Sequence, residues 1–402
     1  MSAKERGQYS AASSALGYLY QVRYALLESL RRLRKGQEFI VSIEALDDVV
    51  FEKDGEAPEL LQTKHHLNRA ADLTDSSPDL WKTLRIWCEA IGADSVPQGT
   101  IYLLITTALT TDGHAAHYLK PGDSRSPDTA MERLNSTADS STSQANAKAY
   151  QAYRSLNQDQ RKRLLQNVLV VDAAPTISDL DTELREVTYG FAAKKFLESF
   201  LQRLEGWWYR RAIQHLVNDE AKPILSEELD SETASLREQF KEESLPIDDD
   251  IMSASVDASG YQDRLFVHQL RLIETGNRRI FHAIRNFFRA FEHRSRWIRE
   301  DLILVGDLER YEERLIEEWD ILFQQMRDEL GEEASEESKK IAAQTLYKWV
   351  ETATHPQIKP GVTEPSISRG TYQLLSDSQR VGWHLEFEER LRQLLENQET
   401  AS

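Results

Sequence analysis

Asp48 stands immediately ahead of a β-type run, thirteen residues separate it from Gln62, and Lys64 follows two positions later. Residues two apart on a strand project from the same face, so Gln62 and Lys64 share one. Lys53-Asp54-Gly55 supplies the turn chemistry that folds the second strand back on the first. Antiparallel pairing then sets Asp48 beside Gln62 and Lys64, so that an acid, an amide oxygen and an ammonium converge at one sheet edge. Phosphodiester hydrolysis needs these groups. A hard divalent ion, Mg2+ or Mn2+, takes oxygen ligands. Asp48 offers a carboxylate, Gln62 its side-chain carbonyl and Thr63 a backbone carbonyl, while Glu44 and Asp47 complete the shell or hold a second ion. Lys64 is expected to position the attacking water and offset charge on the phosphorane.

The elements that must position these groups follow from periodicity. Over residues 12–34, Leu16, Leu19, Tyr20, Tyr24, Leu27 and Leu30 recur at spacings of three and four, which makes one apolar helix face. Arg31, Arg32, Arg34 and Lys35 crowd its last turn and Gly36 follows, as a helix dipole and a stop signal favour. β-type runs come next at 39–43, 48–51 and 59–64, then a helix over 79–91 and a buried-strand pattern at 100–106. Helix, three strands, helix, strand describes an α/β unit, not a bundle. The composition turns small and polar over 107–149, which reads as a long loop or linker. Val168-Leu169-Val170-Val171 either extends the same sheet or opens an insertion, and from Asp179 onward helix dominates. The expected organisation is a site-bearing core at 1–110, a polar loop or linker at 111–150, a mixed then helical middle region at 151–243 and a helical domain at 244–402. No repeat of fixed period is visible.

GYLYQ at 17–21, IEALDD at 43–48 and LLQTKH at 60–65 together resemble the motifs of the PD-(D/E)xK restriction-endonuclease-like family. The match is to the variant whose third motif is QxK, as in Mrr-like enzymes and the nuclease domains of bacterial antiphage effectors. The resemblance covers about residues 10–110. It implies an α/β restriction-endonuclease-like N-terminal domain followed by mainly α-helical middle and C-terminal regions. It also implies Mg2+-dependent cleavage of double-stranded DNA, with Gln21 facing the metal and His65 as support near phosphate. Glutamine where many relatives carry glutamate removes one negative charge and puts more weight on Glu44 or Asp47. RNFFRAFEHRSRWIRED followed by LERYEERLIEEWDILF is similar to the C-terminal helical domain of effectors in ABC-ATPase three-component defence systems, of which Lamassu is one. That similarity implies docking to an SMC-like ABC ATPase and a small third subunit, with activity controlled by those partners and by homo-oligomerisation.

Charge bears on the DNA expectation. The 402 residues hold 49 Lys+Arg against 67 Asp+Glu, a net of −18, which opposes phosphate binding. Residues 1–120 hold 13 and 16, a net of −3, and residues 121–402 hold 36 and 51, a net of −15. The acidity sits in the helical, partner-facing part. DNA engagement is therefore expected to be conditional, with several modules acting together. Cys88 is the single cysteine, which excludes a disulfide scaffold and a cysteine zinc site, and it reads as a core residue. No apolar run approaches the roughly 18–20 residues of a membrane span, and the N-terminus lacks a signal-peptide stretch, so a cytoplasmic protein without membrane contact is expected.

Competing readings attach to the same residues. A degenerate nuclease fold that only assembles a complex keeps the helical domain and loses the chemistry. A nucleotide-sensing effector lacks the P-loop or GxGxxG stretch it would need. His65 and His66 point to opposite strand faces and do not ligate jointly. Trp207-Trp208-Tyr209 with Arg210-Arg211 is a helix-packing seam more than a base-stacking platform. The arginines between Arg264 and Arg299 are expected to pair with Glu312, Glu313, Glu317 and Glu318, or with another subunit.

Overall fold

The structure, a computed structural model, describes residues 11–43, 48–65, 72–217, 222–331 and 333–401; Glu44, Asp47 and His66 lie outside them. The chain divides into two compact units, residues 1–191 with 200–235, and residues 192–199 with 236–402.

The first unit opens with α1 (Ala11–Arg34), β1 (Ile40–Ile43), β2 (Val49–Glu52), β3 (Glu59–Lys64), β4 (Asp72–Leu73), α2 (Pro78–Gly92) and β5 (Ile101–Thr106). It continues through β6 (Leu109–Thr110), α3 (Pro127–Ser140), α4 (Ala147–Ser155), α5 (Gln158–Asn167), β7 (Val168–Val171) and α6 (Leu180–Val187). The final elements are α7 (Leu197–Val217), β8 (Ile224–Leu225) and α8 (Ser226–Gln239), with the unit boundary inside α7 and α8. Six strands form one mixed sheet in the order β7-β5-β3-β2-β1-β8. β1, β2 and β3 pair antiparallel in sequence order, while β3, β5 and β7 run parallel, which requires crossovers through helix. The Val168–Val171 run thus extends the sheet.

α1 turns Tyr20, Tyr24, Leu27 and Leu30 into the core and ends at Gly36, whose φ of +67° suits a glycine. Its terminal arginines do more than oppose a dipole. Arg32 pairs with Glu28 and Glu59 and lies 3.9 Å over the Phe51 ring, Arg31 pairs with Glu28 and Glu183, and Arg34 donates to the carbonyls of Glu186 and Val187 at the end of α6. These links tie α1 to β3 and α6.

Residues 111–150 are not a loop or linker. They hold two short 3-10 turns, α3 and the start of α4, and they build part of the main core. Ala130, Leu134 and Ala138 recur every four residues along α3, and Tyr150 and Tyr153 meet Trp81 of α2 with ring centroids 4.5 and 5.6 Å apart, edge to face. A composition of Ala, Ser and Thr hides such a face, because small residues bury little area but allow close helix packing. Cys88 lies in this core, where burial pushes its thiol up to about 12, away from any nucleophilic role.

The second unit is helical: α9 (Asp249–Met252), α10 (Leu265–Leu272), α11 (Asn277–Arg299), α12 (Val305–Leu330), α13 (Glu336–Thr352), α14 (Pro365–Asp377) and α15 (Phe387–Ala401). Indole and phenol groups satisfy buried carbonyls between its elements: Trp297 donates to Pro246 at 2.8 Å, Trp319 to Gly382 at 2.9 Å and Tyr372 to Leu315 at 3.0 Å. The α11 arginines pair inside the unit as expected, but with a wider set of acids. Arg294 takes Glu312, Arg279 takes Glu351, and Arg296 takes Asp248 and Asp250.

Three buried histidines of this unit, His293, His355 and His384, have pKa values lowered by burial. His293 shows why: its Nε2 accepts the Asp248 N–H at 3.0 Å while its Nδ1–H donates to the Arg289 carbonyl, a pattern only the neutral ring satisfies. The unfolded chain takes up protons near pH 6.5 where the folded one does not, so stability falls as pH drops through that value. The carboxylates held low by arginine, such as Asp250, lose their contribution only in more acid solution, as pH falls below the unfolded carboxyl value near about 4. Urea unfolding should show lower stability at pH 5.5 than at pH 7.5, with a smaller difference in His293→Gln. An unchanged or higher stability at pH 5.5 would contradict this account.

Candidate functional site

The site forms where β2 leaves its preceding bend and pairs with β3. The register Val49↔Leu61 places Asp48, one residue before β2, next to Gln62. Antiparallel pairing on one side of β3 and parallel pairing of Gln62 with Leu104 of β5 on the other hold this stretch between two strands. Gln62 is 3% exposed and Thr63 9%, so the polar groups sit at the rim of the core.

The sequence-derived set meets as a linked array. Lys64 Nζ donates to Gln62 Oε1 at 2.7 Å, and Gln62 Nε2 donates to Asp48 Oδ1 at 2.7 Å. The other carboxylate oxygen, Oδ2, accepts from the Thr63 N–H at 2.8 Å and the Thr63 hydroxyl at 2.9 Å. Gln21, buried on α1, donates its side-chain amide to the Asp48 backbone carbonyl, which fixes the bend. The neutral amide of Gln62 therefore stands between an ammonium and a carboxylate. Thr63 contributes its N–H and hydroxyl, a role that strand alternation alone does not announce.

His65 belongs to the wall rather than to this array. Its Nε2 accepts the Ile177 N–H at 3.2 Å, and its ring lies 4.7 Å from that of Tyr20. Burial, with Asp179 and Glu28 adding, pushes the Tyr20 phenol far above its usual value, so it stays protonated. Ile177 was not legible as a site neighbour, because no local pattern links it to His65, 112 positions away.

Trp208 is fully buried and donates to the Val22 carbonyl at 2.9 Å, and neighbouring Arg23 pairs with Glu205 at 2.8 Å. That is the helix-packing seam expected of the Trp207-Trp208-Tyr209 stretch, here between α7 and α1.

The oxygen chemistry of Asp48, Gln62 and the Thr63 backbone carbonyl suits a hard divalent ion. Among the described residues no group of three or more His, Cys, Asp and Glu gathers at one point. Glu44 and Asp47, the further acids expected here, lie outside the described residues. What the described part defines is a mixed-sheet α/β unit with an acid, an amide and a lysine at the C-terminal end of the interior strand β3 rather than at the expected sheet edge, followed by a helical unit.

Residues 266–391 match the family model described as CTD7, C-terminal domain 7 of the ABC-three component (ABC-3C) systems. The match runs from α10 into α15 and supports an association with ABC-3C systems. No curated protein matches the chain. Among the described residues no helix is long and apolar enough to cross a membrane.

Proposed function

We propose that this protein is the metal-dependent DNA endonuclease effector of its ABC-3C system, with a PD-(D/E)xK-type core of the QxK variant. The observation that carries the reading is the Asp48–Gln62–Lys64 array at the C-terminal end of β3, joined by two 2.7 Å hydrogen bonds. The order of α1, three strands of the main sheet, α2 and then β5 parallel to β3 supports it, the short β4 pairing apart from that sheet with β6. Asp48, Gln62 and the Thr63 carbonyl are the groups that would hold Mg2+ or Mn2+, with Glu44 and Asp47 as further donors. When bound, such an ion polarises the scissile phosphate and makes a coordinated water more acidic. Lys64 orients that water and offsets the charge that develops on phosphorus. Gln62 and Thr63 hold the Asp48 carboxylate in place, and Gln21 holds its backbone. Partner subunits and assembly of several copies control cutting, since a weak single-module grip on double-stranded DNA is strengthened by avidity.

The test is nicking of plasmid by the protein assembled with its system's ATPase and third subunit, in Mg2+ or Mn2+. Lys64→Ala should lower the rate by about a hundredfold or more while leaving assembly intact. Cutting by Lys64→Ala at the wild-type rate would remove Lys64 from the chemistry.

One observation favours a second reading, a non-cutting adaptor: the array satisfies itself, with both Asp48 oxygens and the Gln62 amide occupied by protein partners. Gln62→Glu separates the two. A carboxylate at this position sets like charges side by side and should lower the thermal midpoint in EDTA. For a nuclease, Mg2+ should restore that loss and raise cutting. For an adaptor, Mg2+ changes neither.

A further inference from the structure

Among the described residues, the second unit sets two arginines around a cavity whose one lining carboxylate is engaged elsewhere. This is unexpected in a chain with 67 acidic and 49 basic residues. The cavity, about 220 Å3, lies between α11, α13 and α14. At liquid density it has room for about seven waters. Arg285 of α11 and Arg369 of α14 both line it, and the Nε of each is buried with no hydrogen-bond partner among the described residues. Arg285 is held by its NH2 group, which donates to His282 Nδ1 at 3.1 Å. Glu351, the carboxylate on the wall, is already engaged by Arg279 through contacts of 3.1, 3.0 and 2.6 Å. Gln373 lines the same cavity at 2% exposure, and its Oε1 is likewise unpartnered.

Each of these facts has a cost unless something occupies the cavity. A buried guanidinium N–H without an acceptor loses its hydration and gains nothing in return. Two guanidinium groups at one cavity repel, and a dianion relieves both effects together with charge-assisted hydrogen bonds. The Gln373 side chain hydrogen-bonds the Tyr347 phenol on the same wall, and its carbonyl oxygen keeps room for a further donor, which a ligand hydroxyl supplies. The volume lies below the roughly 300 Å3 at which drug-sized ligand sites begin.

We propose that this cavity is a binding site for a small phosphate monoester, with Arg285 and Arg369 on the phosphate and Gln373 on a ligand hydroxyl. A carboxylate matches one guanidinium and leaves the second uncompensated. The site lies within the segment that matches the CTD7 model and is independent of the Asp48 array.

Thermal unfolding of the full chain tests this with sodium phosphate, ribose 5-phosphate, sodium acetate and sodium chloride at matched ionic strength and pH 7.5. Phosphate and ribose 5-phosphate at 10 mM should raise the midpoint by about 2 °C or more over chloride, and acetate should not. Arg369→Gln and Arg285→Gln should each abolish that rise. In chloride alone both variants should melt at or above the wild type, because an uncompensated cation has been removed. Arg299→Gln, at the exposed end of α11, should keep the full phosphate effect. A wild-type midpoint that responds to phosphate no more than to chloride overturns the proposal. So does an acetate effect equal to that of phosphate, or an undiminished phosphate effect in the arginine variants.

Discussion

Asp48→Ala is expected to abolish plasmid cutting by the assembled protein, with a loss of at least a thousandfold, and to destabilise the first unit measurably. Both effects come from the same carboxylate. Its Oδ1 accepts from Gln62 and its Oδ2 from two Thr63 donors, so its removal leaves three donors at the core rim without their acceptor. An unsatisfied buried donor costs about 1–3 kcal/mol, less where water reaches it. Asp48→Asn divides the two effects. It keeps the shape and one acceptor oxygen, so most stability should return, while the charge that would hold a divalent ion is gone and cutting should remain lost. Single-turnover nicking in Mg2+ and urea unfolding of the same preparations measure both quantities. Full activity in Asp48→Asn would mean that the array is structural and the phosphodiester chemistry lies elsewhere.

The β2–β3 pairing was legible because three local signals agreed, although the array lies on an interior strand and not at a sheet edge. Turn residues at Lys53-Asp54-Gly55, apolar runs on both sides and period-two spacing of Gln62 and Lys64 leave few registers open, and the observed one pairs Val49 with Leu61. The α1 face was legible for a similar reason, since Tyr20, Tyr24, Leu27 and Leu30 repeat at helical spacing, although Leu19, expected on that face, is exposed. The α3–α4 segment was misread because alanine carries little hydrophobic signal, although Ala130, Leu134 and Ala138 form a continuous seam. The outer strand β8 escaped as well. Two residues, Ile224 and Leu225, pair with β1 nearly two hundred positions earlier, and a run that short has no period to read. The role of Thr63 was hidden for another reason: Asp48 sits in a bend before β2, so strand alternation does not restrict which donors its carboxylate meets. The arginines of α11 were legible as ion-pairing groups, and Glu312 on α12 was legible as the partner of Arg294, but Glu351 and Asp250 were not, because they lie farther along the chain and outside the acidic run of α12.

Gly370→Ala is expected to destabilise the second unit strongly, against the sign that helix propensity alone predicts. Gly370 lies inside α14, where replacing glycine by alanine ordinarily gains about 1 kcal/mol. Here α14 passes so close to α11 that a Cβ at 370 collides with the Asn286 backbone carbonyl and comes within 2.6 Å of the Ala290 Cβ. Neither obstacle is a flexible side-chain end. The carbonyl belongs to a regular helix, and Ala290 is fully buried, so relief requires the helices to separate. Overpacking of this kind costs about 1–3 kcal/mol and occasionally more, and that exceeds the propensity gain. Separation would also disturb the burial of Ile367, Thr371 and Tyr372, which share this part of α14. Gly306→Ala in the first turn of α12 is the matched control, because its added Cβ meets only the Arg310 side chain, at 3.7 Å. The control should hold or raise the thermal midpoint, whereas Gly370→Ala should lower it by several degrees, at about 2–4 °C per kcal/mol for a unit of this size. Gly370→Val should lower it further, since a branched side chain adds atoms on the same line of approach. Because α11 also carries Arg285, loosening this contact should weaken the phosphate response of the cavity between α11, α13 and α14 in the same variants. Equal midpoints for the wild type, Gly370→Ala and Gly306→Ala would show that α11 and α14 pack with more room than the structure gives them.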